Sequence, residues 1–143
     1  MAKTHVEKEI NAPADKVWAL LTDLPRWGEW NTMLTKWKTA PPAEVTADTE
    51  AAAVLTIMGM ANTITLTVAE LVPGQRLTLS GTGMAGAKIT LTLAVADTGG
   101  ASRASLDAEF VSQMMVGAIG GAIERAAKKE LDASLVKAAA LVE

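Results

Sequence analysis

Ile89-Thr90-Leu91-Thr92-Leu93-Ala94-Val95 alternates apolar and polar residues, residues 97–100 turn the chain, and Ala104, Leu106, Ala108 and Phe110 resume the alternation against Arg103, Ser105, Asp107 and Glu109. A period of two with polar residues on one side marks half-buried antiparallel strands joined by a hairpin. From about Gly117 the period becomes helical. Ile119, Ile123, Ala127, Leu131, Leu135 and Ala138 recur three or four residues apart, while Glu124, Lys128, Lys129, Asp132 and Lys137 fall largely elsewhere. One long amphipathic helix therefore closes the chain.

The same alternation extends upstream. Ile64, Leu66 and Val68 alternate with threonines, and Leu77 and Leu79 with Thr78 and Ser80, around a Pro73-Gly74 turn. Residues 54–60 carry apolar side chains on both parities, so that strand's buried face stays open. A short strand at residues 34–38 precedes a Pro- and Ala-rich loop reaching Asp48. Val6, Lys8 and Ile10 alternate with His5, Glu7 and Glu9 in a first strand. Pro13 suits the first position of a helix that gathers Val17, Trp18, Leu20 and Leu21, and Pro25 restarts the chain in a second short helix bearing Trp27 and Trp30.

Hairpin-linked strands cannot pair in parallel, because parallel neighbours need long crossovers. The expected fold is thus α+β: a curved seven-stranded antiparallel sheet wrapped around the long C-terminal helix, with two short helices after the first strand, in a single domain over residues 1–143. The terminal helix is the element long enough to cover the sheet's apolar face. Small residues at its start, Gly117, Gly120 and Gly121, face a strongly bent sheet and leave room for an apolar pocket, the alternative being a dry core.

Composition removes several function classes. The net charge is −3 with scattered lysine and arginine, so there is no basic stripe for nucleic acid. Cysteine is absent and His5 is the sole histidine, which excludes thiol chemistry, thiolate metal sites and histidine triads. No metal and no cofactor are expected. The N-terminus lacks a signal-peptide run and no apolar stretch is long enough to span a bilayer, so a cytoplasmic location without stable membrane insertion is expected.

Residues 10–31 resemble the opening of the START-like polyketide cyclase/dehydrase family, also called SRPBCC, through Ala12, Pro13, Val17, Trp18, Leu21, Asp23, Trp27, Trp30 and Asn31. The resemblance implies the helix-grip fold of the birch-pollen-allergen superfamily and a deep apolar cavity for lipids, steroids or polyketides. A closer likeness is to an actinobacterial branch known in mycobacteria as the toxin of a type II toxin–antitoxin pair. Asp23-Leu24, Glu29-Trp30, Trp37, Gly59-Met60, Asn62, Leu79-x-Gly81-x-Gly83, Gly86-x-Lys88 and Ile119-Gly120 carry it.

The expected ligand-binding residues are Trp27, Trp30, Met58, Leu66, Leu79, Leu91, Leu93, Leu106, Phe110, Met114, Ile119 and Ile123. Trp27 and Trp30 could floor the pocket and offer an indole donor, or simply pack their helix. Met58, Met60, Met84, Met114 and Met115 could form an adaptable rim or fill gaps. Trp18 reads as core. Gly81-x-Gly83-x-x-Gly86 imitates a dinucleotide fingerprint, but a strand follows it where the fingerprint needs a helix, so it reads as a hairpin or bulge. His5, Asp107 and Glu109 should face water, Asp23 should cap the second helix, and no catalytic residue is assigned. The expected function is binding of a small hydrophobic molecule. Alternatives are a polyketide cyclase or aromatase, and a toxin-like interaction component; a protein partner or homodimer is left open.

Overall fold

The computed structural model describes residues 2–83, 86–111 and 118–143. Strand β1 (Ala2–Ile10) leads into helix α1 (Ala14–Leu21) and a 3-10 helix (Leu24–Glu29). Strands β2 (Leu34–Trp37), β3 (Glu50–Ile57), β4 (Met60–Val72), β5 (Arg76–Thr82), β6 (Lys88–Asp97) and β7 (Ser102–Val111) follow, and helix α2 (Ala118–Val142) ends the chain. The strands form one antiparallel sheet in the order β1-β7-β6-β5-β4-β3-β2, curled around α2 in the helix-grip arrangement.

β2 to β7 form a meander in which each strand pairs with its predecessor, while β1 pairs along its full length with β7, from Ala2↔Phe110 to Ile10↔Ser102. β1 and β2 are therefore the two edges, and α1 and the 3-10 helix carry the chain across. Inward residues of the strands, such as Val6, Leu79, Leu93 and Leu106, join Ile123, Ala127, Leu131 and Leu135 of α2 in one buried apolar cluster. The 13-residue β4 is bent by an extra residue between Val68 and Glu70, where its register with β5 shifts.

Three details differ from the sequence reading. Pro13 is the cap before α1, with extended backbone (ψ 148°), and the helix starts one residue later. The stretch at residues 54–60 is not one strand: Met58 and Gly59 both have positive φ (56° and 76°) and turn β3 into β4, with Ile57 opposite Met60. Two successive positive φ values are normally supplied by Asn-Gly or Asp-Gly, so Met-Gly gave no turn signal. Ala51, Ala53 and Leu55 take one buried face of β3, and Val54 is buried on the other.

Along α2, Ile119 is 55 % exposed and does not belong to the inward stripe. A row of residues four apart drifts about 40° round a helix at each step, so running it back from Ile123 to Ile119 leaves the sheet-facing side. The buried Gly120 takes that place.

The glycine-rich segment is the β5–β6 hairpin, as expected, with residues 84 and 85 outside the described residues. Gly81 lies opposite Leu66 of β4, and a Cβ there would come 2.7 Å from the Thr65 carbonyl oxygen and clash with Ile64 Cγ2. Backbone approach, not phosphate binding, explains this glycine. Gly81→Ala is expected to cost about 1–3 kcal/mol, as overpacking of a filled site does. A lower urea midpoint with an unchanged slope would show it, and an unchanged midpoint would refute the close contact.

Candidate functional site

The crossover from β1 to β2 builds the site. α1 has no basic residue in its last turn, leaving its terminal carbonyls to find other donors. Trp27 supplies one: its indole Nε1–H donates to the Leu21 carbonyl at 2.9 Å. Trp37 on β2 donates in the same way to the Leu24 carbonyl at 3.1 Å. The rings of Trp27 and Trp30 meet edge to face with centroids 5.9 Å apart, and Trp27 and Trp37 lie 5.5 Å apart. Trp27 and Trp30 are fully buried, at 0 % and 1 % exposure.

After the 3-10 helix, Asn31 Oδ1 accepts the Met33 N–H at 3.1 Å and turns the chain toward β2. Thr32 latches this turn to α2. Its N–H donates to Ser134 Oγ at 2.9 Å, and its hydroxyl lies 2.9 Å from the Glu130 carbonyl oxygen. Ser134, wholly buried, donates in turn to the same carbonyl at 2.8 Å. The latch holds Trp30, Asn31 and Met33 between the helix and the sheet.

There the structure leaves a partly open cavity of about 20 Å3 lined by Trp27, Trp30, Asn31 and Met33 from the crossover, residues 91–93 of β6, Leu106 and Asp107 of β7, and Leu131 of α2. That is room for about one water molecule. The ligand-sized hollow expected from small residues on α2 is not open at this place. Gly120 and Ala127 are buried, and the large side chains of the crossover fill the sheet's hollow.

Of the residues expected to bind ligand, Trp27, Trp30, Leu91, Leu93 and Leu106 come together at this cavity. Leu66, Leu79, Phe110 and Ile123 are buried in the surrounding core. Met58 (54 % exposed) stands on the β3–β4 turn and Ile119 on the outside of α2. Met114 lies outside the described residues, as do Met84 and Met115. Asn31, Met33 and Leu131 line the cavity without having been singled out as binding residues. Leu131 was visible only as part of the helix stripe, and Met33 sits between two elements where no period applies.

Polar expectations fare unevenly. His5 and Asp107 are half-exposed on the sheet's outer face, with His5 Nδ1 2.7 Å from Asp107 Oδ1 and Nε2 3.5 Å from Glu7. Donation of its Nδ1–H to the Asp107 carboxylate holds the imidazole pKa above its ordinary value. Asp23 precedes the 3-10 helix but makes no side-chain cap bond. Pro25 has no N–H to cap, and the Arg26 N–H already bonds the Asp23 carbonyl at 3.0 Å. Trp18, read as core, is only half-buried. It lines an outer groove of about 270 Å3 with Thr22, Asp23, Glu44, Val45 and Leu71.

No cluster of three or more potential metal ligands occurs among the described residues, and no described helix is long and apolar enough to cross a membrane. Ser134→Ala removes the acceptor of the Thr32 N–H and is expected to destabilise the fold by about 1–3 kcal/mol. Faster amide exchange at Thr32 would report the broken latch, and unchanged exchange with unchanged stability would deny it.

Comparison with known proteins extends this picture. The Mycobacterium tuberculosis (strain H37Rv) protein Toxin Rv0910 is 28% identical over 135 residues, covering 94% of both chains. An uncharacterized protein of the same strain is 28% identical over 141 residues, covering 99% of both. Among solved structures, a START superfamily protein from Mycobacterium smegmatis superposes with a TM-score of 0.76 at 15% identity, covering 96% of this chain and 94% of that one. The Zhui aromatase/cyclase from Streptomyces sp. R1128 gives 0.75 at 18% identity, covering 97% and 93%. Residues 1–143 match the model of the family described as polyketide cyclase/dehydrase and lipid transport, and the chain belongs to that family.

Proposed function

We propose that this protein binds a small lipophilic molecule, a lipid, polyketide or aromatic metabolite, between the sheet and α2. The observation that carries the reading is the cavity itself, where apolar side chains from the crossover, β6, β7 and α2 converge on one buried point. Family membership, with lipid transport in its description, points the same way.

Binding is favoured over conversion by the chemistry of the lining. General acid–base catalysis needs a proton-moving group within reach of the substrate. The ionisable residue in the lining is Asp107, whose carboxylate is engaged by His5 on the outer face. Cyclase activity belongs to the Streptomyces neighbour's name, and toxicity to the mycobacterial relative's.

A drug-sized ligand occupies several hundred Å3, so its entry requires this point to widen. Met33 and Leu131 are the lining side chains suited to give way: the first is unbranched and repacks readily, and the second has the small Ala127 and Ser134 one turn away along α2. Ligands that need more widening should associate more slowly.

Titration with apolar compounds of increasing size is expected to raise the melting temperature with occupancy, by about 2.7 kcal/mol of stability at a hundredfold excess over Kd. Differential scanning fluorimetry across fatty acids, steroids and aromatic polyketides checks this. The absence of a shift with every compound would remove the proposal.

A further inference from the structure

Among the described residues, the buried side-chain nitrogen without a hydrogen-bond partner is Nε1 of Trp30. The other two tryptophans of this cluster each spend their N–H on a backbone carbonyl, Leu21 for Trp27 and Leu24 for Trp37. Trp30 is 1 % exposed and lines the small cavity. Burying a donor without an acceptor is costly, and native interiors rarely leave one unpaired.

We propose that the indole N–H of Trp30 is the polar anchor of the ligand site, and that it selects apolar molecules carrying a carbonyl oxygen over hydrocarbons and over carboxylates. The inference rests on the binding function proposed above and names the class of ligand for the same cavity.

The exclusions follow from the lining. A hydrocarbon would leave the N–H as orphaned as before. A carboxylate would be buried without a cation, since no lysine, arginine or histidine lines the cavity among the described residues. A hydroxyl brings a donor of its own, which needs a further acceptor inside the apolar lining. A carbonyl oxygen accepts and donates nothing, so it satisfies the indole without creating a new orphan. The cavity, with room for about one water, also fits a single oxygen atom while the apolar body occupies the widened space beside it.

The test uses a matched set: 1-indanone, indane, which replaces its carbonyl by methylene, and benzoate as the anion. Affinities are measured by titration calorimetry. The indole N–H resonances of the chain's four tryptophans are followed in 15N-labelled protein and assigned with single Trp→Phe variants. Indanone is expected to bind on the order of tenfold more tightly than indane, and benzoate more weakly than both. Indanone should move the Trp30 resonance downfield, and Trp30→Phe should bring indanone and indane within about twofold of each other.

Equal binding of indane and indanone to the parent protein would overturn the anchor while leaving the apolar-ligand function standing. Failure of both to bind would also overturn the anchor, while the melting-temperature series across larger apolar compounds decides the binding function separately. A Trp30 indole that keeps its cross-peak to water when indanone saturates the protein would show a resident water only, and would also overturn the anchor. Should Trp30→Phe not fold, the matched pair and the Trp30 resonance of the parent protein decide the matter without it.

Discussion

The structure depends on one topological constraint: β1 and β2, neighbours in sequence, are the opposite edges of a seven-stranded sheet. Six strand spacings of about 4.8 Å separate them, roughly 29 Å along the sheet before it curls. The chain between residues 10 and 34 must therefore cross the concave side. It does so by burying its apolar side, with Val17, Leu21, Leu24, Trp27 and Trp30 inward and Lys16, Arg26 and Glu29 exposed. This places α1 and the 3-10 helix against the core at one end of α2. It also puts all four tryptophans in the interior or at its edge, since Trp18, Trp27, Trp30 and Trp37 lie on or just beyond that crossing.

A crossing of this kind has many backbone groups to satisfy and little regular structure to do it. α1 is only eight residues long, so half of its carbonyls belong to its unpaired end. Indole N–H groups at Trp27 and Trp37 serve the carbonyls of Leu21 and Leu24, and the hydroxyls of Thr32 and Ser134 tie the exit of the crossing to Glu130. Aromatic residues suit the task because one side chain supplies both apolar area and a donor. The crossover is thus fixed at both ends by side-chain bonds to main chain, and the cavity lies between those fixed points.

Much of the fold was legible because its signals are local and periodic. Ile89 to Val95 and Ala104 to Phe110 state their inward faces by parity, and β6 and β7 bury those residues. What could not be read was set by three-dimensional neighbours. Met58-Gly59 turns the chain without the side chain that normally announces such a turn, and Ile119 leaves the stripe through rotational drift that a spacing rule ignores. The site was half legible. Trp27 and Trp30 stand out as large aromatics in a short helix, whereas the roles of Met33 and Ser134 come from contacts with elements far away in sequence. Volume was the least readable property. Glycine and alanine on a helix permit either a void or a closer approach, and the partners across the gap decide which.

Apolar side chains that can meet leave little empty space between them. Keeping 300 Å3 of empty apolar space would cost about 7 kcal/mol at ~24 cal/mol per Å3, a large part of the 5–15 kcal/mol that holds a domain of this size together. Packing of the side chains that line it leaves a space of about 20 Å3 and avoids most of that penalty. Apolar groups can close over a void by moving together, since their attraction has no direction. A hydrogen-bond donor cannot, because it needs an acceptor at a set distance and angle. The Trp30 N–H is therefore the buried side-chain nitrogen that apolar packing leaves without an acceptor among the described residues.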